Sequence, residues 1–301
     1  MLNGVLNIYK EKGFTSHDVV AKMRGILRQK KIGHTGTLDP DAEGVLPVCL
    51  GQATRLCDML TDHSKTYQAV LLLGVETDTQ DISGQVLAEK KVACSEEQVQ
   101  EVILGFVGPY DQVPPMYSAL KVDGKRLYDL ARQGKVVERK ARHVTIHEIT
   151  IDSVELPRVT MTVHCSKGTY IRTLCHDIGQ KLGCGGCMEK LLRTQVERFL
   201  LKDSITLAQL EQVRDAGELD EHIITVEEMF SGFPEAVATE ETDGLVHNGN
   251  PVKPSGLRLE EPAQDGMQYR LYDSSHQFLG IYEYNRERGW LKPQKMFLGG
   301  N

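Results

Sequence analysis

The chain predicts an α+β fold in two units, a larger one of alternating helices and strands followed by a small β-rich one. Three observations carry this. Helical and strand periodicities alternate up to about residue 230. Ser231-Gly232-Phe233-Pro234 reads as a break. Beyond it the apolar runs are short and turn-bounded. The length of 301 residues favours two domains over one. The 40% hydrophobic and 26% charged content fits a globular chain with a real core.

In chain order, Thr15-Ser16 opens a helix whose apolar face is Val19, Val20, Met23, Ile26 and Leu27, ending near Gln29. Thr66 to Val75 reads as a strand in a buried sheet, weakened at its end by Gly74. Ser95 with Gln98 forms a capping box before Val99, Val102, Ile103 and Phe106. Residues 108–118 hold three prolines, which exclude a regular helix or a central strand. Residues 159–165 alternate strictly, as a half-buried strand does. Ser166-Lys167-Gly168 is a turn, and a helix follows with Ile171, Leu174, Cys175, Ile178 and Leu182 in register. Thr206 with Gln209 and Thr225 with Glu228 are further capping boxes. The last unit shows strand-like runs at 249–252, 269–272 and 278–282, about 70 residues in all.

No run of about 18 apolar residues is present, so no membrane span is expected. The N-terminus lacks signal-peptide character, and cytoplasm is the expectation. Seven scattered cysteines read as reduced thiols. Cys184-Gly185-Gly186-Cys187 has metal-ligand spacing but no second pair, so a glycine-rich turn is the better reading.

The net charge of −7 argues at first against a nucleic-acid partner. Its distribution argues otherwise. Residues 203–228 hold eight acids and one base, which is the whole excess. Residues 121–142 hold eight bases (Lys121, Lys125, Arg126, Arg132, Lys135, Arg139, Lys140, Arg142) against three acids (Asp123, Asp129, Glu138), interleaved with Tyr128. Such a stripe can follow a phosphate backbone or simply be a solvated face.

The chemistry centres on Gly33-His34-Thr35-Gly36-Thr37-Leu38-Asp39-Pro40. Pro40 restricts Asp39 before it, so the carboxylate is either a turn-former or a held reagent. Arg172, in the first helical turn after Tyr170, opposes the macrodipole and calls for a carboxylate partner, either Asp39 or, more locally, Asp177. Pairing with Arg172 would keep Asp39 ionised. Tyr170 and Tyr67 suit ring stacking or proton transfer, and His34 suits stacking or a loop contact. There is no P-loop, dinucleotide fingerprint, H-E-x-x-H or G-x-S-x-G motif. Asp, Arg and Tyr suggest carboxylate chemistry at an anomeric carbon or an electron-poor ring. A glycosidase would need a second carboxylate, and Asp41 and Glu43 read better as loop-surface charges.

Four ordered segments resemble the TruB family of tRNA pseudouridine synthases. They are Gly33–Pro40 continuing to Arg55; Tyr67 with Gly74-Val75-Glu76-Thr77-Asp78-Thr79; Gln112 to Lys121; and Cys165 to Leu174. The resemblance covers about residues 2–230. It implies a pseudouridine synthase fold, with a mixed, largely antiparallel central sheet flanked by helices. Asp39 takes the nucleophile's position, Tyr67 the base-stacking position, Tyr170 that of the C5 proton acceptor and Arg172 that of the Asp39 partner. His34, Leu191, Tyr170 and Lys10 join Tyr67 as substrate-binding positions. Residues 108–145 resemble an RNA-clasping insertion. Residues 232–301 resemble a PUA-like RNA-binding module loosely and are not basic, with seven bases and ten acids over 231–301. Two departures stand out: Tyr9-Lys10-Glu11 where the family usually has Asp-Lys-Pro, and Leu192 where an Arg is frequent.

The resemblance thus implies a catalytic domain over 1–230 that isomerises uridine-55 to pseudouridine in the T-arm stem-loop of tRNA, without cofactor or metal. It also implies a cytoplasmic monomer with no obligate protein partner. Competing readings are a guide-directed synthase of the same fold and a non-catalytic RNA-binding or tRNA-folding factor.

Overall fold

The computed structural model describes residues 1–122 and 124–297; Asp123 and the side chains of Lys121 and Arg126, all in the basic stripe, lie outside the described residues. The strands are β1 (Gly4–Lys10), β2 (Ile32–His34), β3 (Glu43–Leu50), β4 (Lys65–Leu73), β5 (Val75–Thr77), β6 (Val86–Glu89), β7 (Gly108–Gln112), β8 (Lys121–Val122), β9 (Lys125–Arg126), β10 (Arg142–Glu155), β11 (Arg158–Cys165), β12 (Gly186–Val196), β13 (Phe199–Leu200), β14 (Ile223–Ile224), β15 (Glu235–Ala238), β16 (Leu257–Leu259), β17 (Gln268–Tyr272), β18 (Phe278–Asn285) and β19 (Trp290–Met296). The helices are α1 (Ser16–Ile26), α2 (Cys57–Thr61), α3 (Glu96–Leu104), α4 (Leu127–Arg132), α5 (Ile171–Lys181), α6 (Leu207–Ala216) and α7 (Asp243–His247).

Ten strands form one sheet in the order β14-β1-β3-β12-β4-β11-β10-β7, with β2 on β3 and β13 on β12. Only β3–β12 is parallel, through Leu192↔Glu43 and Arg193↔Gly44, so the sheet is mixed and largely antiparallel. That parallel contact brings the Asp39 loop, which runs between β2 and β3, against the middle of β12. A five-stranded sheet, β16-β15-β17-β18-β19, is built from the C-terminal residues alone.

Local signals explain the elements that place the site. Thr15 caps α1 and receives Asp18 in return, a capping box in which Asp18 takes the place of Glu or Gln. Ser95 with Gln98 and Thr206 with Gln209 cap α3 and α6 as expected. Thr225 and Glu228 make the same reciprocal bonds at 3.1 and 2.7 Å, but they start only a single 3₁₀ turn. The strand expected over Thr66 to Val75 ends at Leu73, one residue before Gly74. The proline-bearing segment starts as β7, at the sheet's edge, where the missing N–H of Pro109 is tolerated.

The face of α5 that carries Ile171, Leu174, Cys175 and Ile178 packs on β4 and β11 through Leu71, Leu73, Met161 and Val163. A second cluster joins α1 to β1 and β3. A third joins the two sheets, with Phe230, Phe278 and Ile281 against Val5, Val45 and Leu56. The Cys184–Cys187 segment is the glycine-rich turn: both thiols are free and buried. Its backbone crosses α5 so closely that a Cβ on Gly179 would stand 2.2 Å from the Gly186 nitrogen. Among the described residues no cluster of three metal-ligating side chains occurs, and no helix is long and apolar enough to cross a membrane.

Candidate active site

Asp39 does both things its sequence allows. Its carbonyl accepts from the Ala42 N–H at 3.1 Å, closing a turn with Pro40 at the second position. Its carboxylate leaves the turn toward Arg172, at 3.0 Å from Nε to Oδ2 and 3.4 Å from Nη2 to Oδ1. The Asp39 side chain is 42% open while Arg172 is buried.

Every face of the Arg172 guanidinium is engaged. Nη1 donates to the Thr79 carbonyl at 3.1 Å and lies 3.5 Å from Asp81 Oδ2. Nη2 also donates to the Tyr117 carbonyl at 2.9 Å. One side chain therefore joins the Asp39 loop, the 77–84 loop and the proline-rich segment to the start of α5. The two carboxylates answer the cation that opposes the helix dipole. Asp177, the alternative local partner, instead accepts from the Tyr110 hydroxyl.

Arg172 pulls the Asp39 carboxyl toward ionisation, as expected. Burial pushes it the other way and outweighs it; Asp81 and Asp41 add to the push, and Lys10 opposes it. The net direction is upward from the usual carboxylate value. Asp81 was not singled out from sequence. It is fixed by Thr79 Oγ1 at 2.8 Å and by the Ser83 backbone at 3.0 Å, so it belongs to a rigid loop turned onto Arg172. The acid-rich run Asp78-Thr79-Gln80-Asp81 was its only sequence signal.

The loop around Asp39 is held from several sides. Ser16 Oγ accepts from Leu38 N at 2.9 Å, and Gly13 N donates to the Pro40 carbonyl at 2.9 Å. Lys10, expected among the substrate contacts, is fully buried. Its ammonium donates to the carbonyls of Ala42, Pro40 and Glu11 at 2.5, 3.1 and 3.2 Å. With its donors spent on backbone, Lys10 anchors the loop and does not reach outward. Burial lowers its pKa to about 8. The departure beside it has its own partner, since the Tyr9 hydroxyl donates to Glu43 at 3.1 Å.

Tyr170 is the N-cap residue of α5. Gln112, itself buried, clamps its backbone on both sides, accepting from Tyr170 N at 2.7 Å and donating to Tyr170 O at 2.9 Å. Burial raises the Tyr170 phenol, while Ser118, Arg142 and Arg172 oppose the rise. Tyr67 lies in β4 and keeps only 9% of its surface, packed in the cluster with Leu38 and Ala42, so the face left for a base is narrow. Leu191, on β12, packs against the same cluster. His34 makes an edge contact with His17 at 5.3 Å. Burial, helped by His17 and Arg193, lowers its pKa to about 4, so it is neutral at pH 7.

The structure thus pairs Asp39 with Arg172 two residues after Tyr170, next to the core cluster that holds Tyr67 and borders Leu191, with Lys10 buried under the loop. A half-open carboxylate held by a buried arginine, near two tyrosines, can attack or polarise a flat ring and its sugar.

Comparison with known proteins agrees. The model of the TruB family pseudouridylate synthase N-terminal domain matches residues 24–171, and that of the tRNA pseudouridylate synthase B C-terminal domain matches 172–231. The chain is 52% identical over 307 aligned positions to tRNA pseudouridine synthase B of Lachnoclostridium phytofermentans, covering 99% of this chain and all of that one. The chain belongs to the TruB family. It is also 45% identical to tRNA pseudouridine synthase B of Clostridium kluyveri, over 93% of this chain and 95% of that protein. Among solved structures, a Cbf5–Nop10–Gar1 complex contains a chain of 26% identity and TM-score 0.74, covering 98% of this chain and 85% of that one. An H/ACA ribonucleoprotein bound to a substrate RNA shares the fold at TM-score 0.73 and 24% identity, with coverage of 98% and 85%. Membership in the TruB family accounts for the four ordered segments; the part of the chain beyond 231 lies outside both matched domain models.

Proposed function

We propose that this chain isomerises uridine to pseudouridine at position 55, in the T-loop of tRNA, with Asp39 as nucleophile. The observation that carries the reading is the Asp39–Arg172 pair, set in a loop held from many sides, whose Leu38 and Ala42 pack in the same cluster as Tyr67. The curated relatives are named as tRNA pseudouridine synthases B. The target base leaves the loop at a cost of a few kcal/mol and stacks against Tyr67 over Leu191, with His34 beside it. Asp39 attacks or deprotonates the nucleoside, the N1–C1′ bond breaks, the base turns and a C5–C1′ bond forms, with any bond to Asp39 broken and its carboxylate regenerated, while N1 takes up a proton. Tyr170 then accepts the C5 proton. Product and substrate have the same atoms, so the reaction calls for no cofactor.

Residues 1–230 form the catalytic unit on this reading. Residues 108–145 clasp the RNA, and 232–301 add a PUA-like contact. The chain acts alone. The structural likeness to a Cbf5–Nop10–Gar1 complex favours a second reading, in which protein partners are required.

The test is release of tritium from T-arm stem-loops carrying 5-³H-uridine at one position at a time, using the purified chain alone. Release only from position 55 is expected. Release that needs a cell extract would favour the partner-dependent reading, and none under any condition would favour the binding factor.

A further inference from the structure

Arg193 is a buried cation without an anion. It lies in β12, 1% exposed. Nε donates to the Val45 carbonyl at 2.7 Å and Nη2 to the Gly36 carbonyl at 3.3 Å. Across the β4–β12 register pair Arg193↔Tyr67 its guanidinium neighbours the Tyr67 phenol, the acidity of which it raises against the effect of burial. No carboxylate of the described residues pairs with it. Its charge instead bears on Lys10, His34 and Lys65, each of which it drives toward the neutral form. An unpaired buried guanidinium is costly, so a fold that keeps one needs its fork for something.

The backbone of the Asp39 loop comes close to Arg193 at both ends. Gly44 has φ +106°, and a Cβ there would stand 2.2 Å from the Arg193 carbonyl oxygen. Gly36 has φ +118°, and a Cβ there would stand 3.7 Å from Nη1. These two glycines bracket the Asp39 loop. One residue therefore grips both ends of that loop and neighbours a phenol on the strand beside it.

We propose that Arg193 is a positioning residue for the isomerisation, gripping the Gly36 and Val45 carbonyls beside its register partner Tyr67 so that the tyrosine ring and the Asp39 loop face a single flipped nucleotide. The proposal rests on the reading of the site given above. A lysine keeps the charge but cannot grip both carbonyls with one planar fork.

The experiment compares single-turnover rates on the T-arm stem-loop for wild type, Arg193→Lys, Tyr67→Phe and the double variant, together with RNA affinity. Arg193→Lys should slow turnover by about 10–100-fold, the scale of a misplaced reacting group, with little change in affinity. In the Tyr67→Phe background the same substitution should cost less than about threefold, because neighbouring residues are not additive. An Arg193→Lys variant at the wild-type rate, or a double variant showing the full product of both losses, overturns the proposal.

Where Tyr67→Phe is too slow to follow, ¹⁹F spectra of protein labelled with 3-fluorotyrosine decide. The Tyr67 resonance, assigned by its loss in Tyr67→Phe, should move in Arg193→Lys, and an unmoved resonance overturns the proposal. Wild type that fails to turn over removes the reading of the site and this inference with it. Active wild type with additive variants and an unmoved resonance removes this inference alone.

Discussion

The Asp39 loop and the insertion that faces it are held in opposite ways. Residues 35–42 are tied by Gly13, Ser16, Lys10, Arg172 and Arg193, which come from four separate parts of the chain. In the insertion most bonds are internal, such as Leu127 N to Leu120 O, Tyr128 N to Ser118 O and Arg139 to the Pro114 carbonyl. Its described ties to the site run through Gln112, which clamps the Tyr170 backbone, and through Tyr117, whose carbonyl accepts from Arg172 and whose hydroxyl donates to Asp78 at 3.2 Å. Arg132, Lys135 and Lys140 are exposed. On the function proposed above, the difference fits two separate tasks. Bond-making requires placement to a fraction of an ångström, whereas attraction to a phosphate chain acts over about 8–10 Å and tolerates loose attachment.

Substitutions on the two sides should therefore fail differently. Asp39→Asn should lower single-turnover rate by about 10⁴-fold or more while leaving RNA affinity near wild type. Arg172→Met should cost about 10²–10³-fold. It should also move the acid limb of the rate profile to higher pH, because Arg172 is what opposes the upward push on Asp39. A limb that stays put, or moves down, would show that the pair is not electrostatically coupled.

Lys10→Met strands three backbone carbonyls and should reduce unfolding free energy by about 1–3 kcal/mol in a denaturant titration, with turnover lost in proportion to loop order. On the other side, Lys135→Ala with Lys140→Ala should weaken binding to the T-arm and lower the salt slope by about 0.7–0.9 per lost phosphate contact. Turnover at saturating RNA should not change.

The smallest effect concerns His34. Its pKa is lowered on folding, so the unfolded chain binds the extra proton first. The stability this group permits is complete above about pH 6.5 and falls as pH drops toward about 4. His34→Gln should flatten that part of the stability–pH curve, read by thermal melts between pH 7 and pH 4.5.

Elements with a strong local signal were legible in the sequence. Capping pairs and helical spacing placed α1, α3, α5 and α6, and alternation placed β11. β3 was hidden because Gly44 and Pro47 argue against a central strand. The sheet accepts Pro47 opposite Asn7, and Gly44 is required where β12 crosses. In the site, a cation at a helix start called for an anion, but the local sequence left Asp39 and Asp177 both open and only the family resemblance pointed to Asp39. Asp81 and Arg193 gave no such sign. Asp81 looks like one more loop acid, and Arg193 lies in an alternating strand where only the register with Tyr67 and Gly44 reveals its burial. Lys10 was visible as a residue but not as an anchor, since nothing local shows that three carbonyls fold back over it.

The central claim is that one carboxylate, aimed by a rigid loop and paired with a buried arginine, performs the isomerisation. Tritium release from 5-³H-uridine-55 in a T-arm stem-loop, followed for wild type and Asp39→Asn under single-turnover conditions, tests it most directly. The account predicts complete release by wild type and none above background by Asp39→Asn at equal RNA occupancy. Release by Asp39→Asn at the wild-type rate would contradict it.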